Sequence, residues 1–450
     1  MLPTPWLIRR QLIAIRTRAA SLCIGLVCCP WLCAGALPGQ NAAGCPLEQA
    51  TPESDLGVAY ANPLRQRLQH LAQLGVTRWH AAGFRGRGLT VAILDSGFRG
   101  YQAHLGQALP ARVTVHSFRS DGNLEARNSQ HGILCAEVIH VLAPDAELLF
   151  ANWDADQPGQ FLEAVRWARR QGARIISCSL IMPSWSDGEG GGPVHAALAQ
   201  LLGQGDILCF ASAGNTAQRH WLGEFHAAAD GWHEWTAGHE ENVLMPWGVD
   251  EVSVEVCSSP DTHFELLVVD GHSHELIARS GTQSSPGPCS AVARFKPASS
   301  RSYCVRVRRV GGHASHFHLV ALGASLQYTT TRGSIPFPAD GPEIVAVGAV
   351  DADGHRANYS SCGPNSSRPK PDLVAPVPFP SLWRARPFSG TSASAPQAAA
   401  MAALIWSRRP GWTAAQVWDT LRQSARDLGP PGHDFETGYG LIQLPFLSGK

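Results

Sequence analysis

Apolar and polar positions follow two different rhythms along this chain. Between Leu89 and Asn215, short runs apolar at every position alternate with longer runs of helical period. Leu89-Thr90-Val91-Ala92-Ile93-Leu94 is β-branched and almost wholly apolar, and it stops at Asp95-Ser96-Gly97. A strand with no wet face belongs in a parallel sheet covered on both sides. Further strands are predicted at Val113–Val115, Glu147–Ala151, Arg174–Cys178 and Asp206–Ala211. Helices are predicted at Gly132–Val141, Phe161–Arg170 and Pro193–Gln204. Upstream, Leu64, Leu68, Leu71 and Leu74 recur at three- and four-residue steps, which predicts a helix from Pro63 to about Ala82. Strands and helices in strict alternation argue for a doubly wound α/β fold.

From about Gln218 to Leu322 the rhythm changes to short strands with alternating polar and apolar positions, separated by Gly, Ser, Pro and Asp. Glu251–Val256, Phe264–Val269, Ala291–Phe295, Tyr303–Arg308 and His316–Val320 read this way. That is the pattern of an antiparallel β-sandwich. After Pro342 the first rhythm resumes, with Ile344-Val345-Ala346-Val347-Gly348 and an apolar helix from Pro396 to Trp406. The predicted organisation is a signal segment over 1–36, a linker with a short helix over 37–82, an α/β domain in two parts (83–217 and 331–450), and a β-sandwich inserted between them (218–330).

The amino terminus supplies the compartment. Arg9, Arg10, Arg16 and Arg18 precede an apolar run from Ala19 to Ala36, which closes on Ala34-Gly35-Ala36. Charge, a short apolar run and small residues make a secretory signal. Gly25 and Pro30 weaken the alternative of a retained transmembrane helix. Arg9-Arg10 matches a twin-arginine signal poorly in its flanks, and polar Gly39-Gln40-Asn41 argues against a lipoprotein site at Gly44-Cys45. The expected location is therefore secreted, periplasmic or cell-surface, with no stable membrane span after cleavage. Lys+Arg and Asp+Glu balance at 36 each, so charge gives no reason to expect nucleic acid as a partner. Among twelve cysteines, Cys135, Cys178 and Cys209 lie in apolar runs and are expected to be buried thiols. One disulfide is expected among Cys257, Cys289 and Cys304, its pairing left open.

Three short motifs carry chemistry. Asp95 follows a buried strand, His131-Gly132 opens an apolar helix, and Gly390-Thr391-Ser392-Ala393-Ser394-Ala395-Pro396 opens another. In open α/β sheets such ends gather on one edge. A serine hydroxyl needs an imidazole to take its proton, and the imidazole needs a carboxylate to fix its tautomer. An oxyanion needs donors, and Asn215, after Ala213-Gly214, supplies an amide at another strand end. Singly, each residue is better read as a turn, a cap or a helix start. Their joint occurrence in order is what overrides those readings.

With these flanks, the order Asp, His, Asn, Ser resembles the subtilisin-like serine proteases. Further matching segments are Ala143-Pro144-Asp145-Ala146, Ile344–Ala349, Ser360–Pro364 and Lys370–Pro376, and the resemblance covers about residues 83–215 and 335–445. It implies a triad of Asp95, His131 and Ser392, an oxyanion donor in Asn215, and an extended substrate lying on strand edges. Ser179 and Leu180 are the substrate contacts it implies. The implied substrate is a protein or peptide. No cofactor is expected, a structural calcium ion is left open, and so is the oligomeric state. The insert is expected to be a jelly-roll-like module, as some members carry. Three departures stand out: Ile133 replaces the usual threonine, Ile181 a common glycine, and the stretch between Ala36 and Gly83 is short for an inhibitory propeptide. Two rivals remain: a binding protein that keeps the triad without using it, and an esterase. Ser394 stands where the esterase elbow Gly-x-Ser-x-Gly needs glycine. Five histidines in the insert (His272, His274, His313, His316 and His318) are expected to face solvent rather than hold a metal.

Overall fold

The structure is a computed structural model, which describes residues 62–203, 206–280 and 289–447. The signal segment, the possible lipoprotein site and most of the linker lie outside the described residues. Seven parallel strands form the central sheet, in the order β16-β15-β5-β4-β1-β3-β2. They are β1 (Thr90–Leu94), β2 (Thr114–Ser117), β3 (Glu147–Asn152), β4 (Ile175–Cys178), β5 (Leu208–Ser212), β15 (Val345–Val350) and β16 (Leu373–Pro376). Side chains alternate across a strand, so the inner strands feed two cores, while β2 at the sheet edge is largely exposed. Val91, Ile93, Phe150, Ile175, Phe210 and Val347 pack with α3 (His131–Leu142) and α6 (Thr391–Arg408). Ala92, Leu94, Leu149, Ile176, Cys209 and Ala346 pack with α4 (Pro158–Arg170) and α5 (Pro193–Leu202) on the other face. This is the α/β architecture read from the chain.

Before β1 the single predicted helix is two helices, α1 (Pro63–Gln73) and α2 (Val76–Ala81). Gly75, at φ +82°, breaks the right-handed run. Leu64 and Leu68 do not join Leu71 and Leu74 in the core, being 53% and 56% exposed. The buried face of α1 is instead Arg67, His70 and Leu71.

Between β5 and β15 in the chain lie two antiparallel sheets. One contains β7 (Asn242–Pro246), β9 (His263–Asp270), β10 (Leu276–Arg279), β12 (Tyr303–Gly311) and β14 (Ala324–Leu326). The other contains β6 (His220–Glu224), β8 (Val252–Cys257), β11 (Cys289–Phe295) and β13 (His316–Leu322). Val252, Val254, Val256 and Phe317 of the second sheet share one apolar core with Phe264, Leu266, Val268 and Val305 of the first. The insert meets the α/β part at the loop that follows β4. There Ser184 N donates to Glu255 Oε2 at 2.8 Å, and Cys257 Sγ donates to the Pro183 carbonyl at 3.3 Å.

His318 corrects the expectation of solvent-facing histidines. It is 3% exposed, hydrogen-bonded to His220 at 3.0 Å and to Glu189 at 3.0 Å. Its strand position faces the α/β part, not water. His272, His274, His313 and His316 are exposed as expected. Cys304 is buried and unpaired, which removes it from the expected disulfide. Cys257 and Cys289 stand opposite each other in the β8–β11 register, and the Cys289 side chain is outside the described residues. Cys135, Cys178 and Cys209 are buried thiols, as read from the chain.

Candidate active site

Asp95 is the first residue after β1, so the strand delivers its carboxylate to the carboxyl edge of the sheet. It has no solvent exposure. Burying a carboxylate demands donors. Ser96 N lies 2.7 Å from Oδ1, Ser96 Oγ 3.2 Å from it, and His131 Nδ1 2.8 Å from Oδ2. The Nδ1 proton is thus held by the carboxylate, which leaves Nε2 as the ring's basic nitrogen.

His131 begins α3. The helix can sit this close to the strand end because position 132 is glycine: a Cβ there would lie 2.4 Å from the Phe98 ring. The Phe388 ring stands edge-on to the imidazole, with centroids 5.6 Å apart. Ile133 has no solvent exposure and packs in the core with α6, so the departure from threonine is absorbed as packing.

Ser392 is the second residue of α6, where N–H groups and the positive dipole end converge. The helix starts earlier than Pro396, where the apolar pattern places it. Pro396 has no N–H to give to Ser392 O four residues back. That carbonyl accepts instead from Ser179 Oγ at 3.1 Å and from Cys135 Sγ at 3.7 Å. Ser392 Oγ donates to Ser179 O at 3.2 Å. Cys135, one helical turn after His131, was read only as a small hydrophobe. Its sulfur sits 3.6 Å from Asp95 Oδ2, 3.9 Å from His131 Nδ1 and 3.7 Å from Ser392 O, so the three expected triad residues surround one atom. Burial pushes this thiol up to about 11, so it stays protonated at neutral pH. No periodicity marks it; only the i,i+4 spacing from His131 does.

Asn215 follows β5. Its Oδ1 accepts from Thr391 N at 3.0 Å and from Thr391 Oγ1 at 2.9 Å. The amide oxygen is therefore spent on the residue before Ser392, and the NH2 end is left for a ligand oxygen. Gly390, at φ +85°, allows this approach: a Cβ there would be 3.0 Å from Asn215 Nδ2. Ser179 and Leu180 follow β4. Ser179 touches Ser392 as described, but Leu180 is 2% exposed and lies in the core beneath α4 and α5. One exposed turn brings Asp351, Asp353 and His355 together. Asp351 Oδ1 already accepts the N–H groups of Asp353 and His355 there, at 3.0 and 2.9 Å.

A family model described as the subtilase family matches residues 86–440. Subtilisin E of Bacillus subtilis (strain 168) is 37% identical over 114 residues, 25% of this chain and 29% of that protein. Subtilisin DY of Bacillus licheniformis is 33% identical over 132 residues, 29% of this chain and 47% of that protein. The chain therefore matches under half the length of either relative. The CspB protease structure from Clostridium perfringens superposes with a TM-score of 0.58 at 13% identity, covering 82% of this chain and 94% of that one, which speaks for the fold.

Proposed function

The chain belongs to the subtilase family, and on that premise we propose that it is a serine endopeptidase working through an acyl-enzyme. The observation that carries this reading is the buried Asp95–His131 pair at 2.8 Å, set beside the amino terminus of the Ser392 helix. Ser392 Oγ leaves the Ser179 carbonyl by rotation about χ1 and gives its proton to His131 Nε2 as it attacks the peptide carbonyl. Apo geometry at such sites is often looser than in the complex. The developing oxyanion takes hydrogen bonds from Asn215 Nδ2 and Ser392 N. His131 returns the proton to the leaving amine, and water then hydrolyses the ester by the same steps in reverse. Asp95 holds the tautomer and stabilises the imidazolium.

The substrate is a protein or peptide bound extended, with main-chain contacts from Ser179 and Leu180. We read the insert, residues 218–330, as a jelly roll. In support, β6 to β13 switch sheets at nearly every step, in orders β10-β9-β12-β7 and β11-β8-β13-β6. We also propose export, on the strength of Arg9, Arg10 and the apolar run to Ala36. Among the described residues no helix is long and apolar enough to cross a membrane. No step of this chemistry requires a metal, and a structural calcium ion remains a separate proposal. Peptide and ester turnover at matched leaving groups tests the reaction class, with Ser392→Ala as control. The expected result is peptide hydrolysis abolished in the control; ester turnover without peptide turnover would favour an esterase.

A further inference from the structure

Six residues after His131, α3 carries a carboxylate on its buried side. Glu137 is 1% exposed, in a helix otherwise apolar on that face. A buried charge persists only with partners, and Glu137 has four. Arg67 Nη2 of α1 makes a short ion pair with Oε1. Leu382 N donates to Oε1 at 3.1 Å, and Ser381 Oγ and Trp383 Nε1 donate to Oε2 at 2.7 and 2.9 Å. Arg67 in turn donates to the Pro380 carbonyl, from Nε at 3.1 Å and from Nη2 at 2.7 Å. The ion pair therefore grips four consecutive residues, 380–383, from two sides.

Those residues belong to a hairpin closed by Phe379 and Phe388, which exchange backbone hydrogen bonds at 2.7 and 2.8 Å. Phe388 is the residue edge-on to the His131 ring. It also lies two residues before Gly390 and four before Ser392, with Ser389 between. One end of α3 thus carries the base, and the next turns carry the grip on the segment that packs against that base and leads into the nucleophile. Gln397 of α6, held to His70 of α1 at 2.7 Å, ties α1 to the serine helix as well.

We propose that Glu137, with Arg67, is a positioning residue for the triad: it fixes the 379–388 hairpin on α3, so that Phe388 and the Ser392 turn are set against His131. The proposal rests on the serine-peptidase reading above. Its distinctive consequence is on kcat. A hairpin displaced by about 1 Å leaves the substrate-binding edge of β4 untouched but misplaces His131 and Ser392, an error that typically costs up to about 100-fold in rate.

The test uses Glu137→Gln, Phe388→Leu and the double variant, with Trp383→Phe as a milder probe that removes one donor and keeps an aromatic, though smaller, side chain. Folded protein is confirmed by thermal melting. Glu137→Gln is expected to lower kcat about 10- to 100-fold with KM within about threefold. The double variant is expected to lose no more than the worse single one, because both act through the same contact. Trp383→Phe is expected to lower kcat about threefold or more, and it decides the matter if Glu137→Gln does not fold. Folded variants with wild-type kcat, or multiplicative losses in the double variant, overturn the proposal. Wild-type protein that neither hydrolyses peptides nor labels at Ser392 sinks the peptidase reading instead.

Discussion

Replacing Asn215 by alanine and by aspartate separates two jobs that one amide performs. Its oxygen holds Thr391 N and Oγ1, and its NH2 group is the proposed oxyanion donor. Alanine removes both. Loss of one oxyanion donor typically costs about 100- to 1000-fold in kcat, or about 2.7–4 kcal/mol of transition-state stabilisation. The freed Thr391 N–H belongs to a residue with no solvent exposure and costs a further ~1–3 kcal/mol of stability if nothing replaces its acceptor. Aspartate keeps an acceptor for Thr391, so the turn before Ser392 is held. It also sets a negative oxygen where negative charge develops. Asn215→Asp is therefore expected to melt close to wild type yet lose at least as much kcat as Asn215→Ala, with KM little changed in both. Steady-state kinetics on a chromogenic peptide and thermal melts read the two effects apart. An aspartate variant that keeps more than about a tenth of wild-type kcat would refute the donor role.

Two further predictions follow from packing and burial. Gly132→Ala places a methyl 2.4–2.8 Å from three atoms of the Phe98 ring, so it should cost about 1–3 kcal/mol in stability and reduce kcat by tilting His131; unchanged melting and kcat would show that the ring yields freely. In the insert, burial lowers His220 to about 3 and His233 to about 4, so both are neutral when folded, while in the unfolded chain they titrate near 6.5. The unfolded state binds more protons between those limits, so stability should be full above about pH 6.5 and fall as pH drops towards 4; melts across that range check it, with His233→Phe flattening the slope, and a flat wild-type profile would contradict it.

The sheet and its two helical layers were legible because the inner strands are apolar on both faces, a pattern that only a covered parallel sheet satisfies; the edge strand β2 is polar and largely exposed. Asp95, His131, Asn215 and Ser392 were legible for a related reason: each sits where an element starts or stops, and those points are marked by Gly, Ser or Asn. β6, β7, β10 and β14 escaped notice. All are short: β6 and β7 carry Trp, Asn and Pro and pair with β13 and β12, far away in sequence, while β10 and β14 are only four and three residues long. α1 was misread because Leu64 and Leu68 fit the helical period, whereas the buried face is chosen by partners 70 and 327 residues away, Glu137 for Arg67 and Gln397 for His70. His318 was misread for the same reason, since Glu189 lies in the other part of the chain. Long-range polar pairing has no period and leaves no local trace. Cys135 shows the converse: its apolar surroundings were legible, but its place between Asp95 and Ser392 was not.

The most direct test of the central claim is the site of covalent modification by a fluorophosphonate probe. The folded protein is treated with the probe, digested and mapped by mass spectrometry, beside Ser392→Ala and Asp95→Asn. The account predicts one adduct on Ser392, none in the alanine variant, and labelling slowed by about 10,000-fold in Asp95→Asn, where the ring tautomer is wrong. A folded wild-type protein left unlabelled at Ser392, or labelled equally fast without Asp95, would contradict it.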